Sequence, residues 1–149
     1  MLRSQQERPL PQTNVRKDVP VELLELDVPN QEWLAIINDR PNVLVEGSEG
    51  NTEKVIRAVT AAVSGPSWDW GHTEQALGAT LIVRRVDLLG ADEHRRLLDF
   101  LNAESARVRV RQVIATSARP LYALVESGLF LTELYYRLNT IRLELNESA

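Results

Sequence analysis

The sequence predicts an α/β domain in which helices cover a mostly parallel sheet. Two short apolar runs, residues 43–45 and 80–83, are each followed by a connection and then by apolar residues at helical spacing. Near-continuous apolarity in such runs is typical of strands that are buried on both faces, as in a parallel sheet. A chain of 149 residues has room for one domain of this kind. Strands that alternate with helices through short connections therefore indicate the α/β class.

The first thirty-eight residues predict a tail and two short elements. Residues 1–20 are polar and rich in proline, which indicates a flexible tail or linker ahead of a domain over residues 21–149. Residues 21–28 mix leucine with acidic residues and fit either an edge strand or a short helix. Residues 31–38 fit one amphipathic helix.

A strand–loop–helix unit follows. Residues 42–45 predict a short strand, and apolar residues at helical spacing from Val55 to Val63 predict the helix. Ser-Gly-Pro at residues 64–66 stops that helix. The aromatic segment 67–71 is compatible with a short strand.

The second half of the chain continues the alternation of strands and helices. After the strand at 80–83, the predicted elements are a helix over 91–103, a strand over 108–116, a helix opened by Pro120, a helix over 134–139 and a strand over 140–145. The core face of the first of these helices is predicted to carry Leu97, Leu98, Phe100 and Leu101.

Composition narrows the classes of function. The chain has 17 Lys and Arg against 21 Asp and Glu, and this net charge of −4 gives no reason to expect nucleic-acid binding. The absence of cysteine excludes disulfides, thiolate zinc sites and cysteine nucleophiles. The only histidines, His72 and His94, are expected in a loop and on the solvent face of a helix, so no metal site is predicted. No apolar run approaches the roughly 20 residues that span a bilayer, so a cytoplasmic protein without membrane contact is expected.

Three segments in a fixed order carry a resemblance to one protein family. Residues 43–54 resemble a degenerate Walker A loop, and residues 78–87 resemble a Walker B strand with its lead-in. Residues 128–139 are similar to the Phe-Arg-Glu-Asp-Leu-Tyr-Tyr-Arg-Leu-Asn signature of bacterial enhancer-binding proteins, the AAA+ ATPases that activate sigma-54 RNA polymerase. The resemblance covers about residues 29–145. It implies a three-layer, P-loop NTPase-like AAA+ core with a mostly parallel sheet that lacks the helical lid.

The Walker A segment departs from the family pattern Gly-x-x-Gly-x-Gly-Lys. Gly47 and Gly50 match the first two glycines, but Thr52 stands at the third and Glu53 at the lysine. Because a working loop binds phosphates with backbone N–H groups and a lysine, Glu53 puts the wrong charge beside them. Lys54 follows one residue later, turned about 100° around the helix. The segment is either a vestigial phosphate loop, with weak binding through Lys54, or a strand-to-helix turn that needs glycine.

The resemblance implies changes at the metal, sensor and arginine-finger positions as well. Arg84 and Arg85 stand where the family has the Asp-Glu pair that holds Mg²⁺ and primes the attacking water. Asp87 corresponds to a structural acid of the family. Ala118 replaces the sensor asparagine and has no polar side chain with which to orient a water molecule. The first of two arginine fingers is lost, and Arg137 retains the second.

Two of these positions are open to two interpretations each. Arg84 and Arg85 either bind an anion or an acidic partner at the carboxyl edge of the sheet or form a solvated pair bridged to Asp87 or Glu133. Arg137 either enters the ATP site of a neighbouring subunit in an AAA+ ring or holds its own turn in place.

Two further groups of side chains have predicted roles. Arginines at alternate positions are predicted to form a basic stripe on one face of a strand, for solubility or for an acidic protein: Arg107, Arg109 and Arg111. Four aromatic residues are predicted to pack in the core or at an interface: Trp68, Trp70, Tyr135 and Tyr136.

These departures predict a module that is not an enzyme and that regulates bacterial transcription or signalling through protein contacts. The expected partner is an intact AAA+ activator or another transcription-regulatory protein, and assembly into a homo-oligomer is an open alternative. Neither the loop that touches sigma-54 nor a helix-turn-helix is recognisable, so no direct DNA binding is expected. No cofactor is expected. The alternative is a nucleotide-binding domain with weak residual binding of ATP or ADP, or weak hydrolysis, that uses Lys54 and Asp87 in shifted roles.

Overall fold

Five parallel strands form the central sheet in a computed structural model that describes residues 19–71 and 78–145. The strands are β1 (Val43–Glu46), β2 (Ser67–Asp69), β3 (Ala79–Val83), β4 (Val110–Ser117) and β5 (Ile141–Glu144). Their order across the sheet is β2-β3-β4-β1-β5, and each neighbouring pair is parallel. The predicted α/β class and the parallel sheet are therefore confirmed.

Helices cover both faces of this sheet. In chain order they are α1 (Asn30–Asp39), α2 (Glu49–Ala62), α3 (Ala91–Asn102), the single turn α4 (Ala106–Arg109), α5 (Leu121–Glu126) and α6 (Thr132–Leu138). Two 3₁₀ helices lie over Val21–Leu26 and Val86–Leu88. The first 3₁₀ helix, α1 and α2 pack on one face, while α3, α5 and α6 pack on the other. None of the helices in the described ranges is long and apolar enough to cross a membrane.

The two cores follow from the alternation of side chains along each strand. In β1, Val43 and Val45 contribute to the core under α1 and α2, and Leu44 contributes to the core under α3. All five residues of β3 are buried, which explains why its sequence is apolar almost throughout. Trp33 of α1 is only 1% exposed and anchors the first core.

The segment before α1 is helical. Residues 21–28 were predicted to form either an edge strand or a short helix, and the structure has the helix. It is a 3₁₀ helix over Val21–Leu26 whose buried residues are Leu23 and Leu26. A spacing of three brings both leucines to the same side, because a 3₁₀ helix has three residues per turn. The predicted tail lies almost wholly outside the described residues, and His72 also lies outside them.

The predicted basic stripe is wrong. The strand β4 begins at Val110, and the residues before it form the helical turn α4. Buried Ala106 starts that turn, and the N–H groups of Val108 and Arg109 donate to the Ser105 carbonyl. The three arginines therefore do not alternate along one strand.

The prediction that His94 faces solvent is also wrong. His94 is 3% exposed, and it lies on the face of α3 that carries the buried side chains of Leu97, Leu98 and Leu101. Residues three and four apart share one face of a helix, so His94 continues the apolar stripe by one turn. Phe100, predicted in the core, is partly buried at its edge.

A buried polar network joins α1 to the sheet. Arg40 follows α1 with a left-handed backbone (φ 57°) and is 7% exposed. Its Nε donates to Gln112 Oε1 at 2.9 Å, and its Nη2 donates to Thr80 Oγ1 at 2.8 Å. Gln112 has no exposed surface, and its Nε2 donates to the carbonyls of Ile36 and Pro41. Burial lowers the pKa of Arg40, and no carboxylate within the described ranges bonds to this cation.

Candidate functional site

The carboxyl ends of β1, β3 and β4 meet at one edge of the sheet. Glu46 is the last residue of β1, Arg84 follows β3 directly, and Ser117 ends β4. Ligands of parallel α/β sheets bind at this edge, in the crevice beyond the strand ends. The segments that resemble the Walker A and Walker B motifs both reach it, so it is the candidate site.

The connection from β1 to α2 is a tight turn. The Gly47 N–H donates to the Ser117 carbonyl at 3.0 Å, and Ser48 caps α2 by accepting from a backbone N–H of its first turn. Because α2 begins at Glu49, Gly50 is a helical residue. Neither Gly47 nor Gly50 has a positive φ, so the prediction that this turn needs glycine for a special backbone conformation is wrong.

Thr52 and Lys54 lie on α2 without forming a shared polar site. Thr52 is 3% exposed, and its hydroxyl donates back to the Glu49 carbonyl at 3.1 Å. Lys54 is half-buried. Its side chain makes no hydrogen bond or ion pair with residues 19–71 or 78–145.

Glu53 and Arg84 form a two-pronged ion pair at the sheet edge. The Nε and Nη2 of Arg84 each donate to one oxygen of the Glu53 carboxylate at 2.9 Å, and its Nη1 donates to Asp69 Oδ1 at 2.7 Å. The hydrogen bond from Arg84 lowers the pKa of Glu53, against a smaller opposing effect of burial. The same bond raises the pKa of Arg84. These side chains are 32–45% exposed, so water screens the pair in part.

This ion pair exchanges two charges of the family pattern. The resemblance assigns Glu53 to the Walker A lysine and Arg84 to the first Walker B acid. In this chain the anion therefore stands on α2 and the cation follows β3, and the two bond to each other. Neither of the predicted bridges from Arg84, to Asp87 or to Glu133, is formed.

Asp87 is the buried centre of a second charge cluster. Its side chain has no exposed surface and accepts from Nε and Nη2 of Arg85 at 3.0 Å each. Arg119 Nε lies 3.4 Å from the same carboxylate. Burial is the largest influence and raises the pKa of Asp87, but the bonds and charge of Arg85, with the backbone at Ala118, hold it below its ordinary value. The predicted bridge from Arg85 to Asp87 is therefore present.

Glu46 links β1 to α5 and to β5 at this edge of the sheet. It was not among the site residues predicted from the sequence. Its carboxylate accepts from the buried Leu121 N–H at 2.9 Å and from Nε of Arg142 at 2.8 Å. One oxygen thus fixes the start of α5, and the other fixes β5 beside β1. The sequence does contain a sign of this role, because Glu46 directly follows a buried apolar run, and a carboxylate in such a place needs a hydrogen-bonding partner.

Arg137 of α6 bonds within its own chain. Its guanidinium donates to the Leu101 carbonyl at 2.5 Å and to Asn102 Oδ1, both at the end of α3. The Arg137 carbonyl accepts from the Asn42 side chain at 2.9 Å. A cation at a helix C-terminus interacts favourably with the helix dipole. These contacts agree with the interpretation that Arg137 holds its own turn in place.

Three of the four aromatic residues pack inward, as predicted. Trp68 and Trp70 contact the Phe100 ring with centroid distances of 5.8 and 5.5 Å. Tyr135 is buried, whereas Tyr136 beside it is 61% exposed. Within the described ranges, no group of three or more His, Cys, Asp or Glu side chains is placed to hold a metal ion.

Comparison with known proteins decides the family. The sequence profile of the Sigma-54 interaction domain matches residues 42–147, which is most of the chain. The chain belongs to the sigma-54 interaction domain family. It is therefore a transcription-regulatory domain of the AAA+ type, as the three segments of the resemblance implied.

Bacterial regulators are among the relatives of this sigma-54 interaction domain. The regulatory protein TyrR of Salmonella typhimurium is 35% identical over 89 residues, which cover 54% of this chain and 17% of TyrR. The probable regulatory protein HrpR of Pseudomonas syringae is 32% identical over 83 residues, which cover 50% of this chain and 26% of HrpR. The chain thus matches about a quarter or less of each regulator.

Solved structures share the fold. NtrX from Brucella abortus, in complex with ATP, superposes with a TM-score of 0.64 at 17% identity, covering 91% of this chain and 40% of NtrX. The RuvB branch migration motor of Thermotoga maritima gives a TM-score of 0.54 at 17% identity, covering 93% of this chain and 46% of RuvB. At this identity the likeness supports the AAA+ fold, while the site must be argued from the residues of this domain.

Proposed function

We propose that this sigma-54 interaction domain does not hydrolyse ATP and regulates bacterial transcription by binding another protein. The exchanged ion pair between Glu53 and Arg84 is the observation that carries this proposal. In a working AAA+ site the lysine and the acid act on phosphate and Mg²⁺. Here the two residues at those positions neutralise each other.

The charges of the sheet edge do not fit a nucleotide with its Mg²⁺. A phosphate beside Glu53 meets an anion, and a divalent cation beside Arg84 and Arg85 meets two cations. Arg85 is also committed to the buried Asp87 carboxylate. Ala118 adds no polar side chain that could orient an attacking water.

The surface of α5, α6 and the loop between them supports a role in protein contact. It carries three large exposed apolar side chains, Tyr122, Leu129 and Tyr136, which are 45%, 69% and 61% exposed. Exposed aromatic and apolar residues grouped in one region are typical of protein interaction sites. Because the matched family is the sigma-54 interaction domain and the relative TyrR is a transcriptional regulatory protein, the partner that we propose is an intact sigma-54 activator.

Mixing experiments test the proposed partner. The purified domain is added in excess to a sigma-54 activator of the same organism, and the ATPase rate and the assembly size of the activator are measured. We expect a joint species on size-exclusion chromatography and a changed ATPase rate. Tyr136→Ser is expected to weaken both effects, whereas Val108→Ser, which alters an exposed residue of α4, is expected to leave them unchanged.

The proposed partner would be contradicted if the domain changed neither the assembly size nor the ATPase rate of any sigma-54 activator of its organism. An equal loss for both variants would instead place the contact elsewhere than on α6.

Lys54 supports a second candidate function, weak residual nucleotide binding. Its ammonium group is unpaired among the residues that the structure describes, and it stands in the first half of α2. Helix N-termini favour anions, and a free lysine near one adds to that preference. A nucleotide bound in this way would still not be hydrolysed, because the site has no carboxylates to hold Mg²⁺ at the positions of Arg84 and Arg85.

A further inference from the structure

A cleft with a volume of about 540 Å³ lies between the start of α3 and the loop that precedes α6. It is separate from the sheet edge described above, and it shares Leu129 with the surface that we propose for protein contact. Its apolar wall comes from Val125 and from residues 129–131, while the start of α3 contributes a polar wall with Asp92, His94 and Arg95. This volume is within the range of sites that bind small molecules.

His94 brings a buried polar side chain to the cleft. The side chain lines the cleft, the residue is 3% exposed, and no group in the described part of the chain bonds to its Nε2. A hydrogen bond to the Leu89 backbone uses the other ring nitrogen, so Nε2 is the nitrogen left over. A buried polar atom without a hydrogen bond is costly, and such atoms mark places where a ligand can supply the missing partner.

Two further features make the α3 end of the cleft favourable for an anion. The N-cap of α3 is Gly90, which supplies no side-chain acceptor, so the first N–H groups of this twelve-residue helix remain available. Arg95 is exposed at the rim and forms no ion pair with residues 19–71 or 78–145. Asp92 is the only anionic side chain among the lining residues and partly offsets these charges.

We propose that this cleft binds a carboxylate carried on an apolar stem. The carboxylate lies at the start of α3, where Arg95 and His94 Nε2 donate to it, and the stem packs on Val125 and Leu129. The Phe130 ring packs on the His94 ring, with 4.2 Å between the ring centroids. When the ligand binds, its apolar stem replaces the Phe130 ring as the group that packs on His94. Free organic acids and the C-terminal carboxylate of a peptide share this chemistry.

Binding is expected to bring a proton with it. Burial lowers the pKa of free His94, which is therefore neutral near pH 7, where Nε2 has no proton to donate. A carboxylate beside the ring favours the charged form. Asp92 and Arg95 are the other charged groups that line the cleft, and Thr132 adds a hydroxyl.

Isothermal titration calorimetry of the intact chain with 3-phenylpropionate tests the proposal. Titrations in two buffers of different ionisation enthalpy measure the proton uptake, and 3-phenylpropionamide is the neutral control ligand. We expect the acid to bind with proton uptake and the amide to bind at least about tenfold more weakly, the loss typical of one charge-assisted hydrogen bond. An N-acetylated dipeptide that ends in phenylalanine represents a peptide C-terminus. Whichever of the two acids binds more tightly identifies the source of the carboxylate, a free organic acid or a peptide.

Three variants locate the site. His94→Gln keeps a polar side chain but cannot take up a proton, so it is expected to abolish the uptake, and Arg95→Gln is expected to weaken binding by about tenfold. Arg96→Gln, which alters a neighbour paired with Glu93, is the control and is expected to bind like the natural chain. Circular dichroism checks that each variant is folded. Equal binding of acid and amide, no binding of either acid at millimolar concentration, or unchanged binding by Arg95→Gln would overturn the proposal.

Discussion

Replacing Gln112 with leucine is expected to lower the free energy of unfolding by about 3 kcal/mol. The substitution replaces the amide side chain with an apolar one of similar size at a site with no exposed surface, so loss of volume is not the cause. It leaves the Nε of buried Arg40 without its acceptor at 2.9 Å, and it leaves the carbonyls of Ile36 and Pro41 without their donor. Chemical denaturation with urea, followed by circular dichroism, measures the loss.

A double-mutant cycle separates the network from simple packing. Arg40→Met removes the cation that the first substitution leaves unpaired, so the double variant is expected to be more stable than the sum of the two losses predicts. The expected coupling is about 1–2 kcal/mol. Additive losses would show that Arg40 finds solvent or other acceptors when Gln112 is absent.

Glu53→Lys is expected to destabilise the domain by about 1–2 kcal/mol, although it restores the residue type of the Walker A motif. It removes two hydrogen bonds from Arg84 and puts a second cation beside that guanidinium. In an Arg84→Gln background the same substitution is expected to cost less than about 0.5 kcal/mol, because no cation remains to repel the lysine. Thermal and urea denaturation measure both values.

Glu104→Lys is the matched control for this prediction. It makes the same change of charge at an exposed residue outside the helices and strands, and it is expected to alter stability by less than about 0.5 kcal/mol. If Glu53→Lys behaves like the control, the ion pair contributes nothing to the fold.

The pH dependence of this contribution has a definite sign. Because the pKa of Glu53 is lowered in the folded state, its stabilisation is fully present above the unfolded value of about 4.3. It is lost as the pH falls through the lower folded value. The stability difference between the natural chain and Glu53→Gln is therefore expected to hold near pH 7 and to disappear in acid.

Much of the fold follows from local sequence signals. Apolar runs, helical spacing and the stop at residues 64–66 predicted most strands and helices, because burial on a sheet face imposes the periods that the sequence displays. The misplaced start of β4 has a local cause too. Alternating arginine and valine fit a strand, but burial of Ala106 and the bonds to the Ser105 carbonyl make the first part helical.

The charge pairs of the site were less predictable. The resemblance identified Glu53 and Arg84 as departures from the Walker motifs, but their bond joins residues 31 apart in sequence. The bond between Glu46 and Arg142 spans 96 residues, and no short-range pattern indicates either pairing. Which charges meet is decided by the order of the strands, which the sequence alone does not display.

Calorimetric titration with Mg·ATP tests the central claim most directly, namely that this sigma-54 interaction domain has lost nucleotide chemistry. The account predicts no binding heat for the natural chain up to about 1 mM nucleotide, no ATP hydrolysis, and the same result for Lys54→Ala. Micromolar binding of Mg·ATP by the natural chain that Lys54→Ala abolishes would contradict the account and establish Lys54 as a working phosphate ligand.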